Sequence, residues 1–253
     1  MGADREGVRR EGGPLGPIGS SSLRKEPLKT LDVVSAGAAQ ALVGRVAAAR
    51  GIAIAGSFGA VGAMLEKFLA GEPCDIVILT HEQIARLADE KRVAAATSAD
   101  LGSVATAIAV RAGDLAPDVH DAAALKAALR AASEIYFPDP AKATAGIHFA
   151  KVLDALGIAT EVAARVRTFP NGATAMRTMA GAAGHPIGCT QATEIRATPG
   201  VRLVAPLPRG HELRTIYTAA VSARAAAPDE ARAFLDALAG EESRAARITA
   251  GFE

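Results

Sequence analysis

Glycines and hydroxyl side chains follow several predicted strands in this chain, and such turns can bind an anion. The clearest example is the segment 55–65, Ala-Gly-Ser-Phe-Gly-Ala-Val-Gly-Ala-Met-Leu, in which a short apolar strand gives way to glycines and then to a helix. Glycine permits a tight turn, and the first turn of a helix presents free N–H donors at the positive end of its dipole. The segment therefore predicts one side of a site for an anionic ligand.

Three other segments place small or hydroxyl side chains at a junction of strand and helix. Ser35 ends the first predicted strand, Thr144 opens a later helix, and Asn171 and Gly172 precede another. Side chains of this kind often cap helices, so capping and ligand contact both stay open for Ser35, Ser57 and Thr144. Asn171 and Gly172 also suit a plain turn that tolerates positive φ. We expect several of these turns to converge on one cleft.

Three side chains could act as a general base if the chain is an enzyme. They are His81 in the first turn of a helix, Asp139 after a strand, and Glu194 near the start of a later helix. The five histidines have no ligand-like spacing, and Cys74 and Cys189 form no metal-binding motif. The glycines of segment 55–65 lack the GxGxxG spacing of a dinucleotide site. We therefore predict neither a metal nor a cofactor.

The amino-acid composition of the chain limits the kinds of partner that it could bind. Half of the 253 residues are hydrophobic, which is enough for a sizeable core in one large domain or two lobes. The 28 basic and 27 acidic residues give a net charge of +1, and tryptophan is absent. These features argue against a nucleic-acid partner. No apolar run reaches the length of a membrane span, so we predict no membrane insertion.

Short apolar strands alternate with helices from residue 31 onward. This alternation is typical of a mostly parallel, doubly wound α/β sheet, and strands near residues 104 and 214 could carry the chain between two lobes. Residues 1–30 are rich in glycine, proline, serine and charge, so we predict a flexible tail. The tail lacks the apolar region of a signal peptide. This predicts a cytoplasmic location as written, and a periplasmic location if a signal was removed.

The order of several short motifs resembles the molybdate-binding branch of the periplasmic solute-binding proteins. The motifs are Ser-Ala-Gly-Ala-Ala-Gln at 35–40, Gly-Ser-Phe-Gly at 56–59, Cys-Asp-Ile-Val-Ile at 74–78, Asp-Pro at 139–140, Thr-Ala-Gly-Ile at 144–147 and Ile-Gly-Cys-Thr-Gln at 187–191. The resemblance covers nearly all of residues 31–253 and implies a two-lobed, type 2 periplasmic-binding-protein-like fold with a cleft between the lobes. It implies lobe 1 at residues 31–104 plus 207–253 and lobe 2 at residues 105–206.

The resemblance also implies which residues hold the ligand. In this family, hydroxyl groups and helix N-terminal amides bind the anion in the cleft. Ala38 and Phe58 stand here where the family has serines, and Gln191 stands where it has a tyrosine, which favours an organic anion over molybdate. The positions expected to contact the ligand are Ser35, Gly37, Ala38, Ser57, Phe58, Gly59, Thr144, Ala145, Asn171, Gly172, Ala173 and Gln191.

The sequence thus predicts a solute-binding protein that closes two lobes over a small anion, either an oxyanion or an organic carboxylate. An exported form would have the membrane subunit of an ABC transporter as its partner. The alternative is an enzyme on the same scaffold, because a fold does not fix a function. Aconitate isomerase resembles the same branch, so cis/trans isomerisation of a tricarboxylate is the concrete form of this alternative.

Overall fold

The structure, a computed structural model, describes residues 30–253, so the tail predicted at residues 1–30 lies outside the described residues except for Thr30. The strands are β1 (Thr30–Ala36), β2 (Ala53–Gly59), β3 (Ile76–Thr80), β4 (Ala99–Arg111), β5 (Ile135–Pro138), β6 (Val166–Phe169), β7 (Ile187–Gln191), β8 (Val201–Pro206) and β9 (Arg214–Val221). The α-helices are α1 (Gln40–Arg50), α2 (Val61–Leu69), α3 (His81–Asp89), α4 (Ala122–Ala131), α5 (Thr144–Ala155), α6 (Ala159–Val162), α7 (Gly172–Ala180), α8 (Ala192–Ala197), α9 (Pro228–Ala239) and α10 (Arg244–Ala250).

The strands follow one hydrogen-bonded path in the order β2-β1-β3-β9-β4-β7-β5-β6, with β8 paired to β4. β1 pairs in parallel with β2 and β3, and β5 pairs in parallel with β6 and β7. The antiparallel strand β9 joins β3 to β4, and β4 also pairs antiparallel with β7 and β8. Helices connect the parallel strands, so the predicted α/β class is confirmed.

β4 is a 13-residue strand that joins two parts of the structure. Its residues 99–105 pair with β9, whereas residues 106–111 pair with β7 and β8. One core cluster includes the buried apolar residues of β1, β3 and β9 and extends to Met176 and Ile195 in the predicted lobe 2, whereas a second cluster is drawn entirely from residues 108–207. The two predicted lobes and their boundaries therefore stay a prediction.

β3 shows why these sequences form buried strands. All five of its residues are buried, and four of them form the apolar run Ile-Val-Ile-Leu at 76–79. A strand that is covered on both faces needs such a continuous run rather than an alternating pattern. α3 follows directly. Thr80 and Gln83 have the spacing of a capping box, but Thr80 makes no side-chain capping bond.

The second strand is longer than the sequence indicates. The sequence predicts a strand that ends at Ala55 and a glycine loop after it, whereas β2 continues to Gly59. The reason is its parallel ladder with β1, whose last pair joins Gly59 to Ala36. Only Ala60 separates the strand from α2. The segment 55–65 is therefore a strand and a helix joined by a tight connection.

A glycine in the first turn of α5 packs against the end of β5. A Cβ on Gly146 would lie 2.3 Å from the carbonyl oxygen of Pro138 and 2.4 Å from that of Asp139, so the backbone would have to move. We expect Gly146→Ala to lower the free energy of unfolding by about 1–3 kcal/mol, the usual cost of overpacking. Urea denaturation measures this change.

Gly44 provides a matched control, because it lies inside α1 and a Cβ there would meet nothing within 4 Å. Gly44→Ala should raise the free energy of unfolding by about 0.5–1 kcal/mol, because alanine has the better helix propensity. Similar effects of the two substitutions would contradict the close contact between α5 and β5.

Candidate functional site

A small cavity of about 20 Å³ lies where the N-termini of several helices meet. α2 begins at Val61, α5 at Thr144 and α7 at Gly172, and all three residues line the cavity. The segment 36–38, between β1 and α1, closes another side. The other lining residues are Gly59, Ala60, Pro138, Ala143, Ala145, Asn171, Thr190, Gln191, Glu194 and Tyr217.

The positive potential of this cavity comes from the backbone. Among the residues of 30–253 that line it, none is Lys, Arg or His. The first turn of each helix presents N–H groups without intrahelical partners, together with the positive end of the helix dipole. A small anion would therefore be held by amides and neutral side chains.

Glu194 is the acidic side chain among these lining residues, and it is only 7% exposed. It lies three residues after Gln191, the N-cap residue of α8, and accepts a hydrogen bond from the backbone N–H of Gln191, as in a capping box. Thr190 Oγ1 donates to Glu194 Oε2 over 2.5 Å. The amides of Gly172 and Ala173 donate to the same carboxyl. The carboxyl of Glu194 thus lies at the N-terminus of α7.

Two glycines leave the space that this carboxyl fills. A Cβ on Gly172 would lie 1.9 Å from Thr190 Oγ1 and 2.1 Å from Glu194 Oε2. A Cβ on Gly37 would lie 2.8 Å from Glu194 Oε1. The carboxyl is therefore enclosed between segments that precede α1 and α7. Burial raises the pKa of Glu194, and the hydrogen bonds that it accepts offset part of this shift.

Gln191 and Tyr217 add neutral polar groups to the cavity. Gln191 Nε2 donates to Thr215 Oγ1 over 3.4 Å, whereas Gln191 Oε1 is buried without a hydrogen-bond partner. Tyr217 is 1% exposed, and burial together with the charge of Glu194 raises the pKa of its hydroxyl well above the ordinary value. Tyr217 therefore stays protonated at neutral pH, and Gln191 Oε1 is an unused acceptor.

The structure brings most of the predicted ligand positions into one place. Asn171 is one of them, and its side chain also caps α7 by accepting from Thr174 N over 2.8 Å. Asn171 therefore both caps α7 and lines the cavity. The predicted positions that line the cavity are Gly37, Ala38, Gly59, Thr144, Ala145, Asn171, Gly172 and Gln191.

The two predicted serines lie outside the cavity lining. Ser35 is buried, and its hydroxyl donates to the carbonyl oxygen of Ala36 over 2.9 Å. Ser57 lies within β2, where its hydroxyl donates to the carboxylate of Glu72 and accepts from Lys67 Nζ over 2.9 Å. Both hydroxyls are thus used inside the protein, so we leave both serines out of the candidate site.

Phe58 and Ala173 also lie outside the lining of this cavity. Phe58 is partly buried and packs against the first core cluster, so its ring is not offered to a ligand there. Ala173 lines a neighbouring cavity together with Arg177, and its backbone N–H donates to Glu194. The expected contact between Phe58 and the ligand stays a prediction.

Of the three candidate bases, Glu194 is the one that lines the cavity. His81 Nδ1 lies 3.0 Å from Asp100 Oδ1 at the surface, and this hydrogen bond raises the pKa of His81. Asp139 Oδ1 accepts from the backbone N–H of Ala141 over 2.7 Å, which caps the turn before α5. His81 and Asp139 therefore have structural partners away from the cavity wall.

The sequence reasoning missed Thr190 and Tyr217. Tyr217 lies on β9, where it is paired with Thr80 at the carboxyl end of β3. Such a position depends on the pairing of strands that are far apart in sequence. The available signal was weak, namely a polar side chain beside apolar residues in a strand, both for Tyr217 on β9 and for Thr190 on β7.

Other kinds of site find little support in the described part of the chain. Residues 30–253 hold no group of three or more His, Cys, Asp or Glu side chains arranged to bind a metal ion. Within the same range, no helix is both long and apolar enough to span a bilayer. Cys74 and Cys189 are buried free thiols, and burial raises the pKa of both.

The raised pKa of Glu194 predicts a pH dependence of stability. The folded state binds a proton on this carboxyl more tightly than the unfolded state does, so the free energy of unfolding falls as the pH rises through the folded pKa. Glu194→Gln has no such titration, so we expect the variant to gain stability relative to the wild type as the pH rises. Denaturation series between about pH 2 and about pH 8, which extend to both sides of the ordinary pKa of glutamate, measure this difference.

Glu161 is the control with the opposite sign. It is ion-paired with Arg130 over 2.7 Å, and this hydrogen-bonded pairing lowers the pKa of Glu161. The stability that this ion pair provides is present at neutral pH and is lost as the pH falls. The free energy of unfolding of the wild type should therefore increase relative to that of Glu161→Gln as the pH rises. A Glu194→Gln series that follows the same direction as the Glu161→Gln series would contradict the raised pKa.

Comparisons with known proteins agree with this geometry. The sequence profile of the family described as bacterial extracellular solute-binding protein matches residues 31–253. Aconitate isomerase from Pseudomonas sp is 28% identical over 241 residues, which is 91% of this chain and 90% of that protein. The Azotobacter vinelandii periplasmic molybdate-binding protein aligns with a TM-score of 0.69 and 20% identity, over 88% of this chain and 98% of that chain.

The sulfate-binding protein SubI from Mycobacterium tuberculosis H37Rv aligns with a TM-score of 0.64 and 22% identity, over 88% of this chain and 86% of that chain. These structural alignments confirm the predicted type 2 periplasmic-binding-protein-like fold. The profile match begins at residue 31, where the first predicted strand begins, and continues to residue 253. The chain therefore belongs to the bacterial extracellular solute-binding protein family.

Proposed function

We propose that this protein binds a small anion in the cavity formed by the N-termini of α2, α5 and α7. The observation that carries the proposal is the convergence of these three helix starts on one cavity whose described lining includes no basic side chain. Backbone amides and helix dipoles favour a negative charge at such a point. The molybdate-binding and sulfate-binding proteins that share the fold are named for small anions, which supports the proposal.

We also propose that two lobes, residues 31–104 plus 207–253 and residues 105–206, close over this anion. Contacts between α2 and the turn before α5 support this. The backbone N–H of Gly62 donates to the carbonyl oxygen of Lys142 over 2.9 Å, and Lys142 Nζ lies 2.8 Å from Glu66 Oε2. These contacts join the two proposed lobes beside the cavity. The membership of the family supports a place outside the inner membrane, with the membrane subunit of an ABC transporter as the partner.

The unused acceptor of Gln191 provides the test of the binding site. A thermal-shift panel of sulfate, molybdate, citrate, malate and trans-aconitate first identifies an anion that stabilises the protein. We expect Gln191→Leu to weaken the binding of that anion about 5- to 150-fold, because a buried polar contact is worth about 1–3 kcal/mol. Gln191 Oε1 has no partner to lose, so the stability without ligand should fall only by the contribution of the 3.4 Å hydrogen bond from Nε2 to Thr215 Oγ1, about 0.5–1.5 kcal/mol. Calorimetric titration measures the affinity.

Gln83 provides the matched control, because its Oε1 is also buried without a partner but lies on α3, outside the cavity lining. Gln83→Leu should leave the affinity for the anion unchanged. The binding site would be wrong if both substitutions weakened binding equally. The proposed function itself would fail if no anion in the panel raised the melting temperature.

A second candidate function is the isomerisation of a tricarboxylate, and the buried carboxyl of Glu194 favours it. A base in the cavity would remove a proton from the methylene carbon of trans-aconitate and return a proton to the other end of the allylic system. The double bond shifts and the geometry changes, and no oxidant is consumed. The raised pKa of Glu194 makes its carboxylate a stronger base than that of an exposed glutamate. The 28% identity to aconitate isomerase adds support.

Direct assay tests this second candidate. Incubation with trans-aconitate should yield the cis isomer, and Glu194→Gln should lower kcat by at least about 100-fold, the usual contribution of a general base. Glu161→Gln, which changes a surface carboxyl, should keep the wild-type rate. An unchanged pool of trans-aconitate after long incubation with the wild type would exclude the isomerase.

A further inference from the structure

The carboxyl of Glu194 occupies donors that an anionic ligand would otherwise use. The amides of Gly172 and Ala173, which open α7, both donate to this carboxyl. Thr190 Oγ1 donates to it as well, over 2.5 Å. The protein therefore holds an acid of its own at one of the three helix N-termini that meet in the cavity.

We propose that Glu194 determines the ligand specificity of the cavity, because it excludes fully deprotonated tetrahedral oxyanions and admits organic carboxylates. This inference rests on the proposed binding of a small anion. Two groups in the lining are acceptors, namely the Glu194 carboxylate and Gln191 Oε1. The cavity lining thus combines helix starts, which favour negative charge, with acceptors, which disfavour it.

The shape of an anion determines whether it can bind beside both the helix starts and the acceptors. Sulfate and molybdate carry acceptor oxygens in every direction and have no proton to donate. In so small a cavity, at least one of these oxygens would face Glu194 or Gln191. Two acceptors in contact without a donor between them cost a full desolvation penalty. An organic acid can direct its carboxylate to the starts of α2 and α5 and turn a carbon face toward Glu194.

Glu194 cannot easily give up this position. Its residue is 7% exposed, and its carboxyl is also bonded to the backbone N–H of Gln191 at the start of α8. Gly172 lies tightly against it, because a Cβ there would be 2.1 Å from Glu194 Oε2. The ionised carboxyl only accepts hydrogen bonds and repels an anion, so the exclusion is a property of this form.

The experiment compares the wild type with Glu194→Gln and Glu194→Ala, using sodium molybdate and sodium sulfate against citrate, malate and trans-aconitate. Calorimetric titration should show no oxyanion binding to the wild type at millimolar concentration. Glu194→Ala frees the amides of Gly172 and Ala173, so its Kd for molybdate should be at least tenfold lower than that of the wild type. Acetate, which can take the place of the missing carboxyl, should compete with molybdate in this variant.

Glu194→Gln keeps the size of the side chain and provides a donor, so it tests the same point if the alanine variant is poorly folded. Glu241→Ala removes an exposed carboxyl outside the cavity lining and controls for the change in net charge. The inference is overturned if the wild type binds molybdate as tightly as it binds the organic acids. It is also overturned if neither folded variant gains oxyanion affinity. In contrast, failure of every anion to bind the wild type would count against the proposed function.

Discussion

The burial of one carboxyl, that of Glu194, imposes a requirement that much of the site satisfies. A buried acid needs hydrogen-bond donors around it, and these come from the start of α7, from Thr190 and from the start of α8. The same requirement explains Gly37 and Gly172, because a side chain at either position would collide with the carboxyl. Small residues, short helices and a threonine thus follow from a single physical constraint.

The second general feature is that positive potential in the cavity is produced without cationic side chains. Helix N-termini provide it through partial charges that are fixed in direction and cannot be neutralised by a change of pH. A lysine or arginine would attract many anions in many orientations, whereas fixed amides discriminate by shape. Titration in the described cavity wall is therefore concentrated on Glu194, since the hydroxyl of Tyr217 keeps its proton at neutral pH. In a site of this kind, the helix N-termini attract the anion, whereas a different group, Glu194, binds and releases a proton.

The sequence predicted the local features well and the long-range ones less well. The alternation of strands and helices, the fold family and the glycine turns at Gly37, Gly59 and Gly172 follow from patterns within about ten residues, and the structure places these glycines together. Ser57 and Phe58 were assigned to a loop because glycines surround them, but the ladder with β1 extends the strand through both. Strand pairing outweighs the local preference of glycine, and no periodicity in one sequence reveals it.

The directions of side chains were the other feature that could not be predicted from the sequence. Glu194 had a weak sequence signal, since a glutamate three residues after an N-cap is common at the start of a helix. Its importance depends on α7, which begins more than twenty residues earlier in the chain and meets α8 through tertiary packing. Tyr217 depends in the same way on the pairing of β9 with β3. The role of a residue whose partners are far away in the sequence cannot be identified from a single sequence.

The division of β4 between two sets of partners has a mechanical consequence. Ala105 is the last β4 residue paired with β9, and Thr106 is the first paired with β7. The backbone of Thr106 also bonds to Leu213 over 2.9 Å and to Leu207 over 3.1 Å, so the outgoing and returning chain lie side by side at this point. A rotation of the lobes would bend this narrow ribbon as a unit. Because the two chain segments are hydrogen-bonded to each other here, movement of the proposed lobes would bend them together rather than slide one along the other.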